Sequence, residues 1–156
     1  MINSSAELLY LVIKKLSKKK QSLIIQMNSD LRMLQLIETA SETVLNLLKI
    51  NESDKFRISM AIREAVINAI HHGNKDDINK KVEIIYKYDD KKLEVIVKDQ
   101  GNGFNYKSLP DPTIKDNLLK PSGRGIFFIR TFMDKVAFSH HQNKGLTVKM
   151  SKILKK

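Results

Sequence analysis

Residues Arg63–Asn74, REAVINAIHHGN, decide how the rest of the chain is read. Ile62, Ala65, Val66, Ala69 and Ile70 recur at the spacing of one apolar helical stripe. Glu64, Asn68 and His71 fall together on the opposite side, about one turn apart each. The wet face of an ordinary amphipathic helix has this pattern, and so does a row of ligands for a bound molecule. The stretch then meets Gly73, where a left-handed residue costs little and the helix is expected to end.

Working outward, Asn51-Glu-Ser-Asp54 is a start signal for this helix, which is expected to run to about His72. Before it, Met33, Ile37, Ala40, Val44, Leu47 and Leu48 fit the helical period over roughly 30–49, with Ser29 or Asn28 as cap. Ser22–Met27 reads as a strand. Beyond Gly73 the period changes to two. Val82, Ile84, Tyr86 and Tyr88 alternate, as do Leu93, Val95 and Val97, with a turn at Asp89–Lys92. Residues 101–122 read mostly as loop and hold Pro110, Pro112 and Pro121, all three prolines of the chain. A helix over 123–133 and a hairpin of 135–140 with 145–152 complete the order. Strand, two helices, hairpin, loop, helix, hairpin predicts an α+β fold, with helices on one face of a largely antiparallel sheet.

The 156 residues fit one domain and suffice for a core without staples. With no cysteine there is no disulfide framework, thiolate metal site or cysteine nucleophile. No apolar run reaches the roughly 18 residues of a membrane span, and the first lysines follow the apolar stretch where a signal peptide has them before it. A cytoplasmic location is the expectation. The net charge of +11 suits an anionic partner such as nucleotide phosphates, nucleic acid or an acidic protein, and equally suits solvated lysine-rich faces. No aromatic interleaving or nucleic-acid motif accompanies the charge, so direct nucleic-acid binding is not expected. Residues 1–20 stand apart as an extension. Leu8, Leu9, Val12, Ile13 and Leu16 form a helical stripe ahead of a lysine run, which fits docking on a partner or membrane surface, or packing on the chain's own domain. The domain proper spans 21–156.

Five of the six glycines cluster in three places: after the Glu/Asn helix, in DQGNGF (99–104) and in SGRGIFF (122–128). Asp99 follows a strand with an acceptor-only side chain suited to an amino group, and Gly101 and Gly103 leave room for a flat ring. Ser122, Gly123, Arg124 and Gly125 open a helix, whose free N–H groups suit phosphates. No G-x-G-x-x-G opens a helix directly after its strand, and no G-K-[ST] occurs, so neither a dinucleotide fingerprint nor a P-loop is present. H-E-x-x-H is absent as well, which leaves the histidines without the usual zinc pattern.

In this order the boxes resemble the GHKL ATPase superfamily with its two-layer α/β sandwich, the Bergerat fold. The carrying residues are E-x-x-x-N with H-G (Glu64, Asn68, His72, Gly73), D-x-G-x-G (Asp99, Gly101, Gly103), G-x-G (Gly123, Gly125) and a late strand threonine, Thr147. The resemblance covers about residues 20–152, and GRGIFFIRTFMDKVAF is similar to the anti-sigma factor serine/threonine kinases. It implies ATP and Mg²⁺ as cofactors, with Asn68 holding the Mg²⁺ and Asp99 receiving the adenine amino group. It further implies Gly101 and Gly103 as the adenine floor, Gly123 and Gly125 as a phosphate cradle, and Thr147 as support for the adenine end. Residues 104–122 become an ATP lid, Glu64 the general base, and Lys120 and Arg124 neutralise γ-phosphate charge. The partners implied are a sigma factor, a STAS-domain antagonist and a second copy of the chain. The strand at 22–27 and the helix at 30–49 are the expected dimer surfaces. The alternatives are a nucleotide-switched binding module without kinase activity and a switch kinase that does not act on a sigma factor.

Overall fold

The computed structural model describes residues 20–102, 124–141 and 145–154. The expectations on residues 1–19, the lid at 104–122, Gly103, Lys120, Ser122, Gly123 and the turn at 142–144 lie outside these residues.

Strand β1 (Gln21–Asn28) leads through a 3-10 turn (Leu31–Met33) into α1 (Leu34–Leu47), followed by α2 (Glu52–Asn68). Strands β2 (Lys81–Tyr88) and β3 (Lys92–Lys98) form a hairpin, and α3 (Arg124–Phe132) precedes β4 (Lys135–His141) and β5 (Gly145–Ile153). The sheet order is β1-β2-β3-β5-β4, with every neighbouring pair antiparallel. The β2–β3 turn forms where the sequence places it. Asp89 Oδ1 accepts from the N–H groups of Lys91 (2.8 Å) and Lys92 (2.9 Å), so one side chain satisfies two turn donors.

The helices cover one face. Val82, Ile84 and Tyr86 of β2, Leu93, Val95 and Val97 of β3, and Met150 of β5 point into the same buried cluster. Ile37, Val44 and Leu45 of α1, Ile58, Ile62 and Val66 of α2, and Ile126 and Ile129 of α3 meet them there. Each such side chain contributes roughly 1.5–3 kcal/mol by leaving water. A polar contact deep in this layer is satisfied: the Tyr86 hydroxyl and Ser41 Oγ are 2.7 Å apart, and burial pushes the phenol up to about 12. The opposite face carries ion pairs, Lys98 with Glu83 (2.6 Å) and Lys149 with Glu94 (3.2 Å). Among the described residues no helix is long and apolar enough to cross a membrane.

Two local expectations are corrected. The cap near residue 30 is neither Asn28 nor Ser29. Asp30 accepts from the Arg32 N–H (2.9 Å), because Asn28 donates to the Ile78 carbonyl (3.0 Å) and Ser29 is buried against Asn74. The helix after Asn68 does not stop at a left-handed glycine either. It widens into a π turn over Ala69–Gly73, and the left-handed residues are Lys75 (φ 59°) and Asp76 (φ 57°). Such π turns concentrate at functional sites, and this one carries the H-G pair of the first motif box.

Candidate functional site

The α2 helix and its π turn form one wall of the site. Asn51 caps α2, its Oδ1 accepting from the Asp54 N–H (2.9 Å), and the buried stripe Ile58, Ala61, Ile62, Ala65, Val66 fixes its rotation. That rotation leaves Glu64 and Asn68 facing α3. The approach is close: a Cβ on Gly125 would stand 2.6 Å from Glu64 Oε2 and 3.4 Å from Asn68 Nδ2. Glycine at 125 therefore keeps room for both side chains against the first turn of α3.

Asn68 Nδ2 is buried and has no hydrogen-bond partner among the described residues. A buried amide left unpaired costs about 1–3 kcal/mol, so it needs a reason. A half-turn about the last side-chain bond exchanges the amide nitrogen for the carbonyl oxygen. The position then presents a neutral, hard oxygen donor next to the Glu64 carboxylate. This donor set fits Mg²⁺, which keeps water and phosphate ligands and takes only one or two from protein. It does not fit a protein-only cage: among the described residues no group of three or more His, Cys, Asp or Glu side chains could hold a metal.

The far end of the same wall meets Asp99. A Cβ on Gly73 would collide with the Asp99 carboxylate, so the missing side chain is what lets β3 end against the π turn. Asp99 is only 4% exposed. Its Oδ1 accepts from the N–H groups of Gly101 (2.9 Å) and Leu146 (3.1 Å). Burial raises its pKa above the ordinary carboxylate value, against the lowering effect of these two amides and of His140 and Lys80 nearby. Oδ2 takes no hydrogen bond from the described residues and points at Gly73. The nine steps from Glu64 to Gly73 cover roughly 13 Å at helical rise. The site is thus elongated, with a buried acceptor for an amino group at one end and oxygen donors beside a helix start at the other.

The structure places four further expected members as follows. His71 Nδ1 is bonded to Asp76 Oδ1, so it leaves the row shared by Glu64 and Asn68. His72 is exposed at the surface with its ring partly shielded, and that partial burial first, with Lys75 and His71 next, lowers its pKa. Thr147 pairs with Lys98 in register and alternates with buried Leu146 and Val148, so its side chain lies on the sheet face away from Asp99. Leu146 stands opposite Asp99 instead, the Asp99 N–H donating to its carbonyl (3.1 Å). Arg124 opens α3 and is exposed. Asn74, missed from the sequence, is fully buried beneath the Asp99 loop, and its place directly after H-G was the available signal.

The fold and the order of these boxes define a GHKL-type two-layer α/β sandwich. A family model for the histidine kinase-like ATPase domain matches residues 27–152, and the chain belongs to that family. The serine-protein kinase RsbW of Bacillus subtilis (strain 168) is 33% identical over 103 residues, covering 62% of this chain and 63% of that protein. The protein of the same name in Staphylococcus aureus (strain Newman) is 33% identical over 104 residues, covering 62% and 64%. The match therefore spans under two thirds of these relatives. The crystal structure of the RsbU and RsbW domains of Rv1364c from Mycobacterium tuberculosis shares the fold, with a TM-score of 0.62 over 85% of this chain and 32% of that chain at 17% identity.

Proposed function

We propose that the chain is an ATP- and Mg²⁺-dependent serine/threonine protein kinase of the anti-sigma type, holding a sigma factor and phosphorylating a STAS-domain antagonist in the cytoplasm. The observation that carries the reading is the buried, unpaired amide of Asn68 beside Glu64 and Gly125, with the buried Asp99 carboxylate one π turn further on. An adenine amino group donates to Asp99, and the phosphates run toward the start of α3, where free N–H groups and the helix dipole favour anions. Mg²⁺, when bound, neutralises phosphate charge, with Asn68 as its protein ligand. Glu64 takes the proton of the incoming hydroxyl as its oxygen bonds to the γ-phosphorus. The bond from that phosphorus to the bridging oxygen breaks, and ADP is the product.

A homodimer belongs to the same proposal. Among the described residues strand β1 is an edge strand with Ile24 60% exposed, and Leu36 (50%) and Leu47 (66%) stand out from α1. The relatives' name, serine-protein kinase, supports the activity. Radioactive phosphotransfer from labelled ATP to a STAS protein, with a sigma-factor pull-down beside it, tests the reading. Label on a serine or threonine of the antagonist supports it. Nucleotide binding and sigma capture without any transfer replaces it by a nucleotide-switched binding module.

A further inference from the structure

Asn74 follows the π turn directly and is 0% exposed. Its Nδ2 donates to Ser29 Oγ (2.9 Å) just past β1 and to the Lys81 carbonyl (2.9 Å) at the start of β2. Its Oδ1 accepts from the Gln100 N–H (2.8 Å) in the loop leaving β3. Both amide hydrogens and the oxygen are thus in use, which is the pattern an asparagine offers in one plane. Gln100 Oε1 in turn accepts from the Lys81 N–H (2.6 Å), closing a ring of Asn74, Gln100 and Lys81. The Ser29 N–H donates to the Lys80 carbonyl (3.0 Å) beside it.

The position of the Gln100 bond gives the network its meaning. Gln100 lies between Asp99 and Gly101, and fixing its N–H fixes the peptide that joins it to Asp99. The Gly101 N–H then turns back onto Asp99 Oδ1 (2.9 Å), while Gly101 rests against the Gly73 carbonyl with no room for a side chain. A loop that needed anchoring alone could be held from either flank. This one is held at the residue that orients the carboxylate.

We infer that Asn74 is a positioning residue for the nucleotide base. It sets the backbone of 99–101, and with it the direction of the Asp99 carboxylate, without touching the ligand. The inference rests on the nucleotide site proposed above. It places specificity for the base partly in a residue that directly follows the helix box, at the end where that box meets the Asp99 loop.

The test is calorimetry of the full chain with ADP, in Mg²⁺ and in EDTA. Asn74→Asp keeps the shape and the acceptor for Gln100 but turns an oxygen toward the Lys81 carbonyl. ADP affinity is expected to fall about tenfold, equally with and without the metal, as for one well-placed hydrogen bond. Ser29→Ala removes a single acceptor of the network and is expected to cost about threefold. Ser41→Ala, which removes the distant bond to Tyr86, serves as the control for lost stability and keeps its affinity. Amide exchange without nucleotide is expected to quicken at Gln100 and Gly101 in both network variants. Affinity in Asn74→Asp and Ser29→Ala that matches the wild type, or falls no further than in Ser41→Ala, overturns the inference. So does unchanged exchange at Gln100. A wild type that binds no ADP overturns the nucleotide site itself, an outcome distinct from normal binding that Asn74→Asp leaves intact.

Discussion

Gly125→Ala separates catalysis from stability at a single atom. The new Cβ would stand 2.6 Å from Glu64 Oε2, and an ordinary contact begins at 3.4 Å, so the carboxylate must retreat by about 0.8 Å. It can do so, because the obstructed atom is the end of a flexible side chain and no backbone atom is nearer. The fold then gains, since glycine in a helix is up to about 1 kcal/mol worse than alanine. For a domain of this size that is a rise in melting temperature of roughly 2–4 °C. The transfer reaction loses, since a misplacement of about 1 Å at a reacting group costs on the order of 10²-fold. Thermal unfolding and single-turnover phosphotransfer measure the two effects on one sample. A double-mutant cycle isolates the cause: in a Glu64→Ala background, Gly125→Ala should add little further loss. A variant that melts lower, or one that transfers phosphate at the wild-type rate, refutes the reasoning. A full extra loss in the Glu64→Ala background means that the methyl group acts on the phosphates and not on Glu64.

The two residues facing α3 are expected to fail differently. Glu64→Gln should leave ATP affinity nearly unchanged while transfer falls by about 10²–10⁴, the usual worth of a positioned base. Asn68→Ala should weaken Mg²⁺-dependent nucleotide binding yet leave the melting temperature of the free protein level or raised, because the amide it removes has no partner among the described residues. A fall of several degrees would show that amide to be paired. Asp99→Asn trades in the opposite sense. The folded pKa of Asp99 lies above its unfolded value, so the native state holds the extra proton between the two, and stability falls as pH rises through that window. Asparagine removes this slope and the cost of a buried charge at neutral pH while weakening the grip on adenine. Melting curves over acidic to neutral pH check it, and an unchanged slope would assign the pH dependence to another group.

The architecture was legible because hydrophobic period changes at the element boundaries. The 3.6-residue stripes of α1 and α2 give way to alternation at Val82, and the Asp89–Lys92 turn is encoded by its own side chain. What the sequence hid depends on contacts distant along the chain. Asn28, Ser29 and Asp30 are all good caps, and the bond of Asn28 to the Ile78 carbonyl together with the burial of Ser29 against Asn74, 45 residues later, selects Asp30. Gly73 looked like a helix stop, whereas its constraint is the Asp99 carboxylate across the sheet end. The side of Thr147 was readable in principle. Leu146, Val148 and Met150 are the apolar set of β5, which puts Thr147 with Lys149 on the other face. Strand parity, and not residue type, decides which face a residue of β5 takes. The π turn has no signal in local propensity.

The most direct test of the account is titration calorimetry of the chain with ATP, ADP and GTP, each with Mg²⁺ and with EDTA. Asp99 is an acceptor in its charged form, so it welcomes the amino group of adenine and repels the carbonyl oxygen that guanine carries in its place. Saturable heat with ATP and ADP, strengthened by Mg²⁺, and no heat with GTP at the same concentration is the predicted result. No heat with either adenine nucleotide, or equal affinity for GTP, would contradict it.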